Sequence, residues 1–250
     1  IFLRVKEGGL TLNSGAAEGA YTQIGHGGLR SADNRQNAND WEIDISFCTP
    51  GDVVLNSGAG LDSYAQIGHG AGQSRSRNRF GDIAITNFDD IVLNSGAGQQ
   101  AYTQIGNGAY ASGGGKRGHI TLNGAGTGNL TMQAGSGADA YSLIGIGGNN
   151  LPTLSARGNV LIDGIVDADL IGGAGDRSVV HFGHGGWEAD QIIDHAASNV
   201  TIDASGTLNL QGGSGVEAYA QIGHGGRFAG QNKQGNISVS ADAGIVLQGG

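Results

Sequence analysis

Cysteine and proline are nearly absent from this sequence. Cys48 is the single cysteine, so no internal disulfide can form, and stability must come from hydrophobic packing. The two prolines, Pro50 and Pro152, and the lack of a strict Gly-x-y triplet exclude a collagen, although 50 of the 250 residues are glycine. No apolar run approaches the roughly 20 residues of a membrane helix.

Basic residues are also scarce. The 13 Lys and Arg residues are outnumbered by 22 Asp and Glu residues, and the formal net charge of −9 predicts that nucleic acid is not a partner. Apolar residues still make up 38% of the chain and recur in register, which excludes disorder.

One phrase recurs along the whole chain. Residues 20–28 read Ala-Tyr-Thr-Gln-Ile-Gly-His-Gly-Gly, and residues 218–226 repeat them almost letter for letter. The copies lie 43, 38, 39, 38 and 40 residues apart, a period typical of solenoids and propellers. A glycine after Ile or Phe marks each copy: Gly25, Gly68, Gly106, Gly145, Gly183 and Gly223.

Each period contains three segments in which apolar and polar residues alternate, as they do in β-strands. Branched aliphatic residues lie two apart in the first segment, A, as in Ile83 and Ile85, and again in the second, B, as in Ile91 and Leu93. The third, C, is the recurrent phrase. The chain holds seven A, seven B and six C segments, of which the B copy at residues 169–171 is degenerate. A turn of helix is indicated only over residues 188–197.

Three strands per period favour a parallel β-helix. A propeller blade needs four strands and its ring must close, whereas seven A and seven B strands overshoot six blades. We predict an all-β, parallel β-helix solenoid with three strands and about 40 residues per coil. We interpret residues 1–250 as a single array cut from a longer shaft, because no polar cap follows the last B strand. A closed β-propeller interaction module is the alternative fold.

The alternation in strand C assigns its two faces. We place its Ala, Thr and Ile residues inside, because a buried glutamine column would need a partner for every amide. The opposite face is predicted to form an exposed contact ladder, stacked coil upon coil. Its residues are Tyr21, Tyr64, Tyr102, Tyr141, Tyr219, Gln23, Gln66, Gln104 and Gln221. A second amide column is predicted after strand B: Asn13, Asn56, Asn94, Gln133, Gln211 and Gln248.

The loops after strand C carry ten of the 13 basic residues. Stacking would bring these loops to one edge, so we predict a basic loop ridge on an acidic body; ordinary solvation of long loops is the alternative. The predicted ridge consists of Arg30, Arg35, Arg75, Arg77, Arg79, Lys116, Arg117, Arg157, Arg227 and Lys233.

No motif predicts catalysis, a metal or a cofactor. Histidines recur after strand C, but Asn107 and Ile146 take the same place in two copies, so we interpret this column as hydrogen-bonded to a turn. The turn at residues 135–141 is similar to part of a calcium-binding nonapeptide, yet it occurs once per period rather than in tandem. The equivalent histidines are His26, His69, His184 and His224.

Two stretches of the repeat carry a family resemblance. Residues 235–250 read Gly-Asn-Ile-Ser-Val-Ser-Ala-Asp-Ala-Gly-Ile-Val-Leu-Gln-Gly-Gly, and they join the phrase Tyr-x-Gln-Ile-Gly-His-Gly-Gly. Together they resemble large bacterial exoproteins of the filamentous haemagglutinin type, over essentially the whole chain. The resemblance implies a right-handed parallel β-helix that is secreted to the cell surface of a Gram-negative-type bacterium. It carries over no catalytic residue.

The expected function follows from that resemblance. It is a non-catalytic shaft of a surface adhesin or extracellular fibre, with roles in adhesion, biofilm or fibre assembly. The expected partners are further coils, other copies of the chain, and cell-surface glycans or matrix, without membrane insertion. A carbohydrate-binding or polysaccharide-cleaving β-helix is the alternative function.

Overall fold

The chain folds into a β-solenoid of parallel strands. A computed structural model describes residues 1–30, 41–70, 72–73, 78–112, 114–193, 198–230 and 232–250. The described chain forms about six coils of about 39 residues, with three main sheets, one for each predicted strand of the coil. The predicted parallel β-helix architecture is therefore confirmed. No helix in the described ranges is long and apolar enough to cross a membrane.

The three main sheets run the length of the solenoid, and their strands are counted over the described residues. Sheet A contains β1 (Phe2–Val5), β4 (Ile43–Phe47), β8 (Ile83–Phe88), β12 (Ile120–Gly124), β16 (Val160–Ile165), β20 (Val200–Ala204) and β23 (Ile237–Ala241). Sheet B contains β2 (Leu10–Asn13), β5 (Val53–Asn56), β9 (Ile91–Asn94), β13 (Leu130–Gln133), β17 (Ala168–Ile171), β21 (Thr207–Gln211) and β24 (Gly244–Gln248). Sheet C contains β3 (Tyr21–Ile24), β6 (Tyr64–Ile67), β10 (Tyr102–Ile105), β14 (Tyr141–Ile144), β18 (Val179–His184) and β22 (Ala220–His224).

A fourth sheet, D, lies in the segments after strand C, which we predicted to be loops. It contains β7 (Arg79–Phe80), β11 (Lys116–Arg117), β15 (Leu151–Arg157) and β19 (Ala189–Ile193). Two of these strands are only two residues long, too short to show a period-two apolar pattern. The turn of helix indicated over residues 188–197 is wrong where that segment is described, because residues 189–193 form β19.

Equivalent residues of successive coils pair directly. Tyr102 lies opposite Tyr64 on one side and Tyr141 on the other. One period of the sequence therefore forms one coil of the solenoid. The B segment that we considered degenerate is regular, because β17 pairs in register with both neighbours and buries Ala168 and Leu170.

The main core fills the space between sheets A, B and C. Each strand contributes alternate Ile, Leu or Val side chains, and those of the middle coils are fully buried, as for Ile85, Leu93 and Ile105. Burial of each such side chain stabilises the fold by roughly 1.5–3 kcal/mol. The inward position predicted for the isoleucines of strand C is therefore correct in the middle coils.

A second core lies on the other side of sheet C. The segment after β10 folds back over this face and packs Ala109 and Tyr110 against Tyr102 and Tyr141. Sheet C is thus covered on both faces, as parallel sheets usually are.

The glycine that ends strand C is fixed by the approach of the next coil. Gly106 has a φ of +151°, and a Cβ at this position would lie 1.7 Å from the carbonyl oxygen of Gly145. Any other residue would therefore collide with main chain rather than with a movable side chain. The same collision, at 1.5–1.9 Å, faces a Cβ at Gly25, Gly68, Gly145 and Gly183.

Replacement of Gly106 by alanine tests this constraint. We expect Gly106→Ala to lower the free energy of unfolding by more than about 4 kcal/mol, because the stacked main chains must move apart. The matched control is Gly126→Ala, since Gly126 also has a positive φ, +86°, but a Cβ there would meet nothing within 4 Å. This control should lose only about 1–2 kcal/mol of conformational strain. If urea unfolding shows that both variants lose the same free energy of unfolding, the collision at Gly106 is contradicted.

Candidate functional site

The tyrosines of strand C form a stacked column. Ring centroids of Tyr21 and Tyr64 are 4.8 Å apart, as are those of Tyr64 and Tyr102, while those of Tyr102 and Tyr141 are 4.9 Å apart. The planes of neighbouring rings differ by only 2–3°. Val179 takes the equivalent place in the fifth coil, next to Tyr141.

The exposure that we predicted for this ladder is wrong in the middle coils. Tyr64, Tyr102 and Tyr141 are at most 1% exposed, whereas Tyr21 is 49% exposed and Tyr219 is half-buried. The physical reason is the second core, in which the segments after strand C cover the tyrosine face. Burial also raises the pKa of the buried tyrosines, so their hydroxyls stay protonated.

Three glutamines of strand C, Gln23, Gln66 and Gln104, bind the coil that follows. The side-chain Nε2 of Gln66 donates to the carbonyl oxygens of Gly106 at 3.0 Å and Gly108 at 2.9 Å. Both amide hydrogens are thereby used on one Gly-x-Gly turn, and we call this arrangement the glutamine clamp. It recurs for Gln23 with Gly68 and Gly70, at 3.0 and 2.8 Å, and for Gln104 with Gly145 and Gly147, at 3.4 and 3.2 Å.

The glutamines are therefore internal rather than exposed, which is a second correction. Gln66 and Gln104 are fully buried, and Gln23 and Gln221 are half-buried. Our expectation was based on the need of each buried amide for a partner. The Nε2 groups of Gln66 and Gln104 find theirs in main-chain carbonyls of the next coil, whereas their Oε1 atoms are buried without a hydrogen-bond partner. In the fifth coil His181 takes this role, with Nε2 3.0 Å from the carbonyl oxygen of Gly223.

The position after the strand C glycine connects two turns. In the third coil Oδ1 of Asn107 accepts the main-chain N–H of His69 at 3.0 Å, and Nδ2 donates to the carbonyl oxygen of Gly81 at 2.7 Å. His184 repeats the pattern, because its Nδ1 accepts the N–H of Ile146 at 3.3 Å and its Nε2 lies 2.6 Å from the carbonyl oxygen of Gly158. These contacts agree with our interpretation of the column as hydrogen-bonded to a turn.

Two histidines of this column, His69 and His184, are held neutral. Burial, together with a neighbouring histidine, lowers the pKa of His69 to about 4 and that of His184 to about 3. A neutral ring with its proton on Nε2 matches the geometry of His184, whose Nδ1 accepts and whose Nε2 faces a carbonyl oxygen.

The glycines of the calcium-like turn also have a packing role. A Cβ at Gly135 would lie 1.8 Å from the carbonyl oxygen of Gly96, and one at Gly137 would lie 2.0 Å from that of Gly98. Over the described ranges, no group of three or more His, Cys, Asp or Glu residues is placed to hold a metal ion.

The predicted basic ridge is divided among different environments. Arg79 and Lys116 are 4% and 1% exposed, so they do not belong to a surface ridge. They lie opposite each other on the inward side of sheet D, and a Cβ at Gly70 would be in ordinary van der Waals contact, at 3.4 Å, with Cγ of Arg79. Burial, with Arg79 nearby, lowers the pKa of Lys116 to about 7, and its Nζ donates to the carbonyl oxygen of Gly114 at 2.6 Å.

Other members of the ridge are paired with acidic residues. Arg30 lies 3.6 Å from Glu18, and Arg227 lies 2.9 Å from Glu217. Lys233 is half-buried, and its Nζ donates to the carbonyl oxygen of Gly230. Arg117 and Arg157 are exposed on the outward side of sheet D. The remaining predicted members lie outside the described residues: Arg35, Arg75 and Arg77.

The outward side of sheet D carries a shallow groove of about 290 Å³. The guanidinium of Arg117 lies 4.2 Å from the ring centroid of Phe80. Oδ1 of Asp82 accepts the N–H of His119 at 2.7 Å. The lining residues are Phe80, Gly81, Asp82, Arg117, Gly118, His119, Arg157 and Gly158.

Phe80, Asp82 and His119 were not among our sequence-based candidates. A signal for them exists in the repeated step of a large residue, a glycine and a polar residue, at residues 80–82, 117–119 and 157–159. The groove became apparent only once sheet D had brought these three steps together.

No family model, curated protein or solved structure matches this chain. The observed fold is consistent with a β-helical repeat protein. It agrees with the fold that the resemblance to filamentous haemagglutinins implies, but it does not identify the chain as a member of that family.

The neutral histidines predict a specific pH dependence. An unfolded histidine has a pKa of about 6.5, and the folded values are about 4 for His69 and about 3 for His184. The stability that each contributes is thus fully present above about pH 6.5 and falls by about 1.4 kcal/mol per pH unit below it, until the folded pKa is reached.

Asparagine is the matched replacement, because Asn107 already makes both contacts in this column. We expect the double variant His69→Asn, His184→Asn to lose less stability than the unmodified chain between pH 7.5 and pH 5 in urea unfolding. The control Gln211→Asn, an exposed change that involves no titrating group, should keep the pH dependence of the unmodified chain. An unchanged pH dependence in the double variant would show that the buried histidines do not titrate as described.

Proposed function

We propose that this chain is a stiff, non-catalytic shaft segment of a secreted bacterial surface adhesin or extracellular fibre. The observation that carries the proposal is that the polar side chains of the repeat are hydrogen-bonded to neighbouring main chain. In the middle coils, the glutamine clamp and the histidine and asparagine column bind the next coil or an adjacent turn rather than a ligand. The internal chemistry of the repeat is therefore used to join coils.

Ladders on the outer surface join coils in the same way. Nδ2 of Asn56 donates to Oδ1 of Asn13 at 2.8 Å, and Nδ2 of Asn94 donates to Oδ1 of Asn56 at 3.0 Å, along the amide column predicted after strand B. In the following turn a buried serine does the same: Oγ of Ser57 accepts the N–H of Gly96 at 2.8 Å.

Such an arrangement favours resistance to bending. Main-chain hydrogen bonds in parallel sheets run across the strands, and here they run along the solenoid axis on several sides. Bending would lengthen these bonds on one side and crowd the stacked glycines on the other. Stiffness along one axis is the property that a spacer between a cell surface and a distant target requires.

The resemblance to filamentous haemagglutinins supports export to the cell surface and a role in adhesion, biofilm or fibre assembly. Further coils, other copies of the chain, and cell-surface glycans or matrix are the proposed partners. Lateral contact through a continuous basic ridge is not part of this proposal, because Arg79 and Lys116 are buried and Arg30 and Arg227 are ion-paired.

Removal of one whole coil tests the shaft. Deletion of residues 64–101 joins Ser63 to Tyr102, which pairs with Tyr64, and so preserves the register. In intact cells that produce the protein, we expect the shortened form to remain on the surface, detected by antibody labelling, and to keep attachment close to that of the natural form. Gly106→Ala, which disrupts stacking, should abolish attachment.

Two results would contradict the shaft. One is location of the chain inside the cell. The other is loss of attachment by the one-coil deletion as complete as that caused by Gly106→Ala, because a spacer tolerates the removal of one unit whereas a unique site does not.

A further inference from the structure

We propose that the groove on the outward side of sheet D binds a hydroxylated carboxylate of the size of one sugar residue, such as a hexuronate. The inference rests on the chemistry of the groove alone, and it would hold whether or not the chain is a shaft. It assigns a ligand to residues that have no part in the stacking of the clamps.

Two guanidinium groups provide the carboxylate-binding side. Arg117 and Arg157 lie opposite each other on neighbouring strands, β11 and β15, and both are exposed. Both residues line the groove, and the paired strands that carry them are about 4.8 Å apart. A guanidinium fork matches a carboxylate through two parallel N–H···O bonds. Arg117 is also oriented before binding, by its contact with the Phe80 ring at 4.2 Å.

The second side of the groove suits hydroxyl groups. Oδ1 of Asp82 accepts the N–H of His119, which leaves Oδ2 as an acceptor for a ligand hydroxyl. Nδ1 of His119 accepts the N–H of Asn159 at 3.2 Å, so a neutral ring carries its proton on Nε2 and can donate to a ligand oxygen. The groove thus combines anion-binding donors with a carboxylate acceptor.

This combination separates a sugar acid from other anions. Asp82 would repel a phosphate, which near neutral pH carries one or two negative charges and at most two hydroxyl hydrogens, whereas a hexuronate presents a single negative charge and several hydroxyls. A long polyanion is also disfavoured, because the chain carries a net charge of −9. The volume of about 290 Å³ is close to the lower limit of small-molecule pockets, about 300 Å³, and suits a single ring.

Calorimetric titration of the purified chain with three probes tests the proposal. We expect glucuronate to bind at least about tenfold more tightly than glucose, which lacks the carboxylate, and than inorganic phosphate, which lacks the hydroxyl pattern. Arg117→Gln should weaken glucuronate binding by at least about tenfold. The matched control is Arg227→Gln, which removes the same charge from a different surface and should leave the affinity unchanged.

The variant Asp82→Asn distinguishes a sugar-acid site from a general anion patch. It keeps an oxygen for the N–H of His119 but removes the negative charge, so glucuronate binding should weaken while phosphate binding should not. Phosphate binding as tight as glucuronate binding, equal binding of glucose, or no binding of any probe would overturn the proposal. Thermal unfolding of each variant verifies that a lost affinity does not arise from a lost fold.

Discussion

The close approach of successive coils at the end of strand C is the constraint on which the rest of the structure depends. At Gly106 the main chains are so near that a Cβ would lie 1.7 Å from the carbonyl oxygen of Gly145. Only glycine fits there, and the same proximity brings the carbonyl oxygens of Gly106 and Gly108 within reach of the Gln66 amide. The glycines and the glutamine of the recurrent phrase are therefore two parts of one contact between coils.

The second core lies beside this contact. The segment after strand C returns over the tyrosine face, where it packs Ala109 and Tyr110 against the stacked rings. That return buries Tyr102 in the second core and aligns sheet D. It also places the neutral His184 between two turns, where burial lowers its pKa to about 3. The exposed groove of sheet D is thus a product of the same return that buries the tyrosine face.

The sequence was sufficient to predict features whose contacts lie within a single coil. The three main strands could be derived from apolar alternation, because Ile85 and Ile105 face a core that any single coil already defines. The burial of Gln66 could not, because its partners lie 40 and 42 residues further along the chain. The burial of Lys116 escaped prediction for a related reason, since β11 is too short to show which of its two side chains points inward.

The most direct test of the glutamine clamp is the hydrogen exchange of side-chain amides, measured by NMR on glutamine-labelled protein. The clamp predicts that the Nε2 hydrogens of Gln66 and Gln104 exchange orders of magnitude more slowly than those of Gln211, which lies exposed on sheet B. It also predicts that Gly106→Ala removes this protection at Gln66. Exchange at Gln66 as fast as at Gln211 in the natural chain would contradict the clamp, and with it the account of how the coils are held together.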